Sequence, residues 1–248
     1  MADTNGKSAS KHVNGGTIWE RLDEQPPASP RVPLSHDRIA LTAIELADSE
    51  GLAALSMRRL AEQLGVPTMA PYRYISGKDD LFELMIDMAH ADFALPPPPS
   101  AWDQVLRAYA EQVRDITLRH PWLVQIYARL PGVLTPRMAD IAEQALAAMK
   151  TLNVDVDTKM AILATVRAFT HGAAAAEVAQ RQLMERRGWD SDDDVRSAYH
   201  PYMAELTSSG RYPALSDYLV NGSNDDSASW QFEFGLTCVL EGIVSSLS

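Results

Sequence analysis

Apolar residues recur at helical spacing along most of the chain after Pro33. Ile39, Ala43, Leu46 and Ala47 are spaced i, i+4, i+7 and i+8, which places them on one face of a helix. The same kind of stripe recurs in Leu81, Leu84, Met85 and Met88, in Val105, Tyr109, Val113 and Ile116, and in Met138, Ile141, Ala145 and Met149. No segment shows the apolar–polar alternation of a half-buried strand, so the sequence predicts an all-α fold.

Cap residues indicate where some of these helices begin and end. Ser35 is a predicted N-cap, and Gly51 is the predicted end of the same helix. Ser76 with Asp79 three residues later predicts a capping box. The helix that follows is expected to run from about Lys78 to Ala94.

Composition divides the chain into three predicted parts. Residues 1–34 are rich in Ser, Asn, Gly and Pro and predict a flexible arm. Four consecutive prolines, 96–99, end a helix and mark a boundary at about residue 95. The predicted domains are therefore 35–95 and 96–248. Within the second, residues 188–224 are polar and predict a loop with one short helix.

The segment from Leu55 to Lys78 predicts two short helices around a glycine turn. Ser56 can cap the first helix, whose inner face would be Leu60, Ala61 and Leu64. Gly65 stands where a helix-turn-helix needs a residue that tolerates a positive φ. The second helix is expected over Thr68–Ile75 with Thr68 as its N-cap, which would put Pro71 in the first turn, where a missing N–H is tolerated.

The net charge of the whole chain differs from the local charge of this motif. The chain has 22 Lys and Arg against 33 Asp and Glu, a net charge of −11, which argues against wholesale coating of nucleic acid or anionic membrane. Residues 91–248 contain 13 basic and 20 acidic residues, so most of the excess acid lies there. Between Arg58 and Lys78 the balance reverses: Arg58, Arg59, Arg73 and Lys78 face one acid, Glu62.

This locally basic segment contains side chains that are suited to a DNA groove. Lys78 opens a helix and can hold a phosphate, while Arg73 can bond bidentately to a guanine edge. The alternative is a helical hairpin with a purely structural role, whose basic face is solvated. The predicted DNA-binding residues are Ser56, Met57, Arg58, Thr68, Met69, Ala70, Tyr72, Arg73, Tyr74 and Lys78.

The segment Leu55–Leu81 resembles the DNA-binding region of TetR-type transcriptional regulators. The match rests on Arg58, Leu60, Ala61, Leu64, Gly65, Val66, Tyr72, Tyr74 and Lys78. Pro71 departs from the family pattern, which usually has a core leucine there, and Met57 replaces a small hydroxyl residue. The resemblance implies an N-terminal three-helix DNA-binding domain and a larger C-terminal helical domain for ligand binding and dimerisation.

Two later segments resemble the tetracycline-repressor branch of this family. Residues 166–172 are similar to its ligand-lining helix, and residues 232–242 to the start of its final dimerisation helix. One row of the latter helix predicts a dimer contact, with an intrachain core as the alternative. The predicted dimerisation residues are Trp230, Phe234, Gly235, Cys238 and Gly242.

The ligand site is predicted from apolar walls with a few polar groups. Its predicted residues are Trp102, His120, Trp122, Met138, Phe169, Thr170 and His171. Ala168 stands where the tetracycline-repressor branch has a metal–drug-binding histidine, so the sequence does not predict magnesium-tetracycline as the ligand. The aspartates between Asp190 and Asp194 lack an EF-hand pattern and predict an acidic helix start instead.

Taken together, these features favour a homodimeric repressor that a small hydrophobic or aromatic ligand releases from a pseudo-palindromic operator. No secretory signal or membrane span is predicted, so a cytoplasmic protein without a membrane partner is expected. The single cysteine, Cys238, excludes a multi-cysteine metal site, and no catalytic residue, metal or cofactor is predicted. The alternatives are an all-α enzyme that uses the C-terminal cavity, or an activator or co-repressor-dependent regulator of the same fold.

Overall fold

The computed structural model describes residues 18–19, 34–222 and 227–247. In these residues the chain forms ten α-helices and no strand, which confirms the all-α prediction for the described part. Two short 3₁₀ helices lie at Pro71–Arg73 and Met149–Thr151. The α-helices are α1 His36–Glu50, α2 Met57–Leu64, α3 Lys78–Ala89, α4 Trp102–Arg119, α5 Trp122–Arg129, α6 Pro136–Ala148, α7 Val156–Arg187, α8 Asp192–Ser208, α9 Pro213–Asn221 and α10 Ala228–Ser246.

Local side-chain chemistry sets the ends of the first two helices. The Ser35 hydroxyl accepts from the Arg38 N–H at 3.2 Å, and the Ser56 hydroxyl accepts from the Arg59 N–H at 3.2 Å, as predicted for both caps. Gly65 ends α2 with φ at 68°, a left-handed conformation that costs glycine nothing. The helix-turn-helix geometry therefore begins as the sequence predicts.

The start and the end of α3 differ from the prediction. The N-cap is Gly77 rather than Ser76, and the Ser76 N–H donates to Asp80 at 2.7 Å, so the predicted box with Asp79 is wrong. The helix stops at Ala89 rather than Ala94. The buried His90 ring contacts the Ile86 carbonyl through Nδ1 at 2.8 Å, which satisfies a carbonyl at the helix end well before the prolines.

The first core joins the N-terminal helices to the C-terminal part of the chain. It contains side chains of α1, α2 and α3 together with Trp122, Leu123 and Ile126 of α5. Ile18, within the arm predicted to be flexible, is 1% exposed and belongs to the same core. Of the rest of that arm, residues 1–17 and 20–33 lie outside the described residues.

The second core is built from α4, α6, α7 and α10. The predicted stripes of α4 and α6 supply Val105, Tyr109, Val113, Ile141 and Ala145 to it. α7 and α10 contribute the buried residues Ile162, Leu163, Val166, Phe232, Leu236, Leu240 and Ile243. This bundle holds the faces of α4, α6 and α7 that line the cavities described below.

Residues 188–224 contain two helices, α8 and α9, where a loop with one short helix is predicted. Ser191 and Asp194 form a reciprocal capping box that starts α8, which confirms the acidic helix start. Neither α8 nor α9 has a buried residue. In the described part of the chain, no helix combines the length and the apolarity needed to cross a membrane.

Candidate nucleic-acid interface and ligand cavity

The chain between α2 and α3 is a series of tight turns rather than the predicted helix over Thr68–Ile75. The Ala70 N–H donates to the Pro67 carbonyl at 2.8 Å, and Pro71 then opens a three-residue 3₁₀ helix. Its N-cap is Ala70, without a side-chain bond, so Thr68 is not the N-cap. Pro71 provides no N–H for a helix that would start earlier, which shortens the element to one turn.

Two buried side chains hold this turn against the first core while its outer side chains face solvent. Pro71 and Ile75 are buried. Met69 is 69% exposed and Tyr72 is 42% exposed, and Thr68 and Arg73 are exposed beside them. The half-buried Ala70 and Tyr74 lie between these two sets. The turn thus presents a short row of apolar and cationic groups above two buried anchors.

Tyr74 is partly occupied by contacts within the chain. Its carbonyl is 3.1 Å from the imidazole Nε2 of His36, and the two rings meet edge to face with centroids 5.4 Å apart. Its ring is half-buried and packs against the first core. Tyr74 therefore fixes the turn to α1.

The start of α2 supplies Arg58 to the same region. Ser56 is used as the cap, and Met57 is half-buried against the first core. Arg59 binds Glu50 at 2.7 Å and Glu62 at 3.4 Å, and these hydrogen bonds and charges, that to Glu50 foremost, raise the pKa of Arg59. Its positive charge is thus largely balanced within the protein.

Three cations of this region lack such a balancing carboxylate. No carboxylate of the described chain lies within 4 Å of the charged groups of Arg58, Arg73 or Lys78. Lys78 opens α3, with its Nζ 5.9 Å from the centroid of the Phe82 ring. The surface formed by Arg58, Met69, Tyr72, Arg73 and Lys78 is called the basic surface below.

Two contacts fasten α1 and α3 to α5 and to His120, which lies two residues before α5. The Asp48 carboxylate accepts from Trp122 Nε1 at 2.6 Å and lies 2.9 Å from His120 Nδ1. Arg129 donates to Asp79 at 3.0 Å, beside Lys78. His120 and Trp122, predicted as ligand residues, therefore lie at this junction rather than at the cavity, and Trp122 is 2% exposed.

A third contact joins α3 to α6. The buried Asp87 accepts from the backbone N–H of Arg137 at 3.0 Å and also from the Arg137 guanidinium. Arg137 lies in the first turn of α6, one residue before Met138 of the cavity wall. This pair was not predicted, because an aspartate 50 positions from its arginine leaves no local pattern.

Two adjoining cavities lie between α4, α5, α6 and α7. The inner cavity has a volume of about 60 Å³ and the outer cavity about 260 Å³, and both are lined by Tyr127, Met138, Arg167 and His171. The inner cavity adds His90, Phe93, Tyr109, Val113, Leu134, Ile141, Ala142 and Leu163. The outer cavity adds Leu130, Gly132, Val133 and Ala168.

Helix register separates the predicted ligand residues of α7. His171 of α7 lines both cavities, as does Met138 of α6. Phe169 instead packs on Phe232 with ring centroids 5.7 Å apart, and the buried Thr170 donates to the Val166 carbonyl at 2.8 Å. The α7 row that lines the inner cavity is Leu163, Arg167 and His171, at intervals of four residues.

Trp102 lines a different surface. It belongs to a groove of about 520 Å³ formed by the four prolines 96–99 and the C-terminal end of α6. Tyr109, Tyr127, His90, Phe93 and Arg167 line the cavities without having been predicted. An aromatic ring in a helical stripe does not by itself indicate whether it faces a core or a cavity.

The ionisable groups in the cavity wall are held neutral, with one exception. Burial lowers the pKa of His171 to about 4, helped by the nearby Arg167 charge, and burial also lowers the pKa of His90. Burial raises the pKa of Tyr109 to about 12 and raises that of Tyr127. Arg167 is the remaining formal charge among the residues that line the two described cavities.

The outer face of α10 leaves large apolar side chains uncovered in the single chain. Trp230 is 47% and Phe234 59% exposed, their rings are stacked with centroids 5.3 Å apart, and Cys238 is exposed on the same row. A Cβ on Gly242 would meet nothing within 4 Å. On Gly235 it would stand 2.6 Å from the Phe169 ring, so this glycine serves packing within the chain.

Two family models match the chain over both predicted domains. The model described as bacterial regulatory proteins, tetR family, matches residues 39–85, and the tetracyclin repressor-like, C-terminal domain matches residues 95–247. The HTH-type transcriptional repressor DrrR1 of Streptomyces coeruleorubidus is 30% identical, covering 96% of this chain and 90% of its own. The class E tetracycline repressor protein of Escherichia coli is 26% identical, over 86% and 92% of the two chains.

A solved structure shares the fold over most of the chain. ActR of Streptomyces coelicolor in complex with actinorhodin has a TM-score of 0.73 and 25% identity, and covers 87% of this chain and 98% of its own. The family consists of transcriptional regulators rather than enzymes. The chain belongs to the TetR family of bacterial regulatory proteins and is a DNA-binding transcriptional regulator whose C-terminal domain is of the ligand-binding, tetracyclin repressor-like type.

Proposed function

We propose that this regulator is a homodimeric repressor, and that a small aromatic or hydrophobic effector releases it from a pseudo-palindromic operator. The observation that carries the proposal is the basic surface, an anchored turn with exposed Tyr72 and Arg73 between the cations Arg58 and Lys78. Because the proposed operator is bacterial DNA, the function is expected in the cytoplasm.

On the DNA, the basic surface divides into base-reading and phosphate-binding groups. Arg73 projects from the turn and suits the O6 and N7 acceptors of guanine, while the Met69 side chain suits a thymine methyl group. Lys78 and Arg58 flank the turn and suit the phosphates on either side. Thr68 and Tyr72 add hydroxyls, and the half-buried Ala70 and Tyr74 support the turn beneath them.

Dimerisation through α10 would bring two basic surfaces to one DNA face. Trp230, Phe234 and Cys238 form an exposed row that a symmetry-related copy can cover, and the open side of Gly242 allows a second helix to approach closely. A two-fold axis then matches two half-sites on successive turns of the DNA.

The effector would act through the contact between α3 and α6. A ligand beside Met138 displaces the start of α6, whose Arg137 holds Asp87 on α3, and α3 begins with Lys78 of the basic surface. The ligand shifts the population toward a subunit spacing that no longer fits successive grooves, which requires tighter binding to that conformation.

Operator binding is tested by gel shift with DNA from upstream of the gene for this protein. Specific binding that exceeds binding to random DNA of equal length is expected, and equal affinity for the two would contradict the repressor function.

The dimer is tested with Phe234→Glu, which is expected to give monomers by light scattering and to weaken operator binding. Val156→Glu, at a 71% exposed position at the start of α7, is the matched control.

A further inference from the structure

We infer that the effector is an anionic aromatic compound, and that its carboxylate or ionised phenol pairs with Arg167 while its ring enters the cavity. This inference rests on the proposed function, because it assumes that the two cavities receive the effector. It adds the chemical class of the ligand and names the residue that selects it.

The first support is the isolation of Arg167 from protein carboxylates. The three arginines that directly adjoin cavity-lining residues in the sequence have acidic partners: Arg137 with Asp87, Arg129 with Asp79, and Arg114 with Glu177 at 2.8 Å. Arg167 has no carboxylate within 4 Å in the described part of the chain. In a protein with 33 acidic residues, a cation left unpaired at a cavity wall is available to a ligand anion.

The second support is the charge of the wall as a whole. Neither cavity is lined by an aspartate or glutamate among the described residues. The imidazoles of His90 and His171 and the hydroxyls of Tyr109 and Tyr127 are neutral near pH 7. The Arg167 guanidinium lines both cavities, and its charge adds to the fall that burial causes in the pKa of His171 and partly opposes the rise that burial causes in the pKa of Tyr109.

The third support is the shape and chemistry of the remaining wall. The Tyr127 and His171 rings lie with centroids 4.8 Å apart on one side, and Phe93 and Tyr109 pack on each other at 5.9 Å on the inner side. Aromatic faces of this kind accept a planar ring, and neutral imidazole and phenol groups donate to its oxygen atoms. A cationic ring would meet Arg167 with no compensating carboxylate.

Position explains how one arginine could serve this purpose. Arg167 is exposed, yet it lines the inner and the outer cavity at the same time. A ligand that spans the two would lie with its ring beside Met138 and its anion at the guanidinium. The same ligand would then touch α7 and also α6, the helix whose start the proposed release mechanism displaces.

The test compares anthraquinone-2-carboxylic acid with its methyl ester, by calorimetric titration of the full-length protein. The acid is expected to bind about tenfold more tightly than the ester, a difference of ~1.4 kcal/mol, because its carboxylate can form a charge-assisted hydrogen bond that the ester cannot form. Arg167→Gln is expected to remove this preference by weakening the acid alone, and Arg167→Lys to keep most of it. Arg186→Gln, in the last turn of the same helix and away from both cavities, is the control.

Equal binding of acid and ester to the unmodified protein would overturn the inference, and so would an equal loss for both probes in Arg167→Gln. Absence of binding by either probe would also overturn it. A gel shift on the same preparations separates these results from failure of the proposed function, because operator binding without ligand does not depend on Arg167. Circular dichroism establishes that each variant is folded.

Discussion

Replacing Arg137 by methionine removes the cation from a buried carboxylate and is expected to destabilise the protein more than replacing Asp87 by asparagine. Asp87 is 6% exposed, whereas the Arg137 side chain is 40% exposed. After Arg137→Met the carboxylate stays in the protein interior with one backbone N–H donor at 3.0 Å. After Asp87→Asn the guanidinium can turn to water, and the amide oxygen can still accept from that N–H.

These two outcomes differ in expected size. Loss of one partner from a buried ion pair costs about 3–5 kcal/mol of stability. Because Asp87 keeps its backbone hydrogen bond, we expect a cost at the lower end, ~3 kcal/mol, for Arg137→Met. Loss of the charge alone in Asp87→Asn is expected to cost ~1 kcal/mol. Urea unfolding followed by circular dichroism measures both, at one protein concentration because a dimer is stabilised by mass action. A larger loss for Asp87→Asn than for Arg137→Met would refute this account of the contact.

Arg73→Ala is expected to cost about 1–3 kcal/mol of specific operator binding, whereas Lys78→Ala weakens all sequences and lowers the salt slope by about one. Fluorescence anisotropy across a salt series measures both, and equal salt-independent losses would contradict the assignment. Gly235→Ala is expected to lower the melting temperature, at a cost of about 1–3 kcal/mol. Its added Cβ would meet an α7 ring at 2.6 Å, whereas Gly172→Ala meets nothing within 4 Å and should melt no lower than the parent protein. Acidification from pH 6.5 to pH 4 is expected to destabilise the fold, because the pKa of His171 is lowered to about 4 and the unfolded chain takes up a proton that the folded chain excludes. His171→Gln should flatten this part of the stability curve in urea titrations at each pH, and an unchanged curve would argue against a buried neutral imidazole.

Helix caps and buried stripes could be predicted from sequence because they depend on residues three to eight positions apart. Ser35, Ser56 and Gly65 act where local rules place them. The turn over Thr68–Ile75 could not be predicted in the same way. Family resemblance favours a helix there, but Pro67 and Pro71 both lack the N–H that a longer helix requires.

The cavity was harder to predict than the basic surface for a physical reason. α7 is 32 residues long and carries small or apolar residues on several faces, so its sequence does not indicate which row turns inward. The observed register sends Phe169 to α10 and brings Arg167 to the cavity. Contacts such as that of Asp48 with Trp122, 74 positions apart, depend on the tertiary arrangement and have no sequence signal.

The DNA-binding helices and α5 share the first core, and this limits where the chain can be cut to build a chimera with another regulator. A chimera that joins residues 35–95 to the C-terminal domain of another regulator would discard the buried side chains of Trp122, Leu123 and Ile126. It would leave their cavities in the donor domain and an unmatched Asp48 carboxylate at the seam. An exchange that carries α5 along with the N-terminal helices keeps this packing intact, so the unit for building hybrid biosensors ends after Arg129 rather than at the prolines.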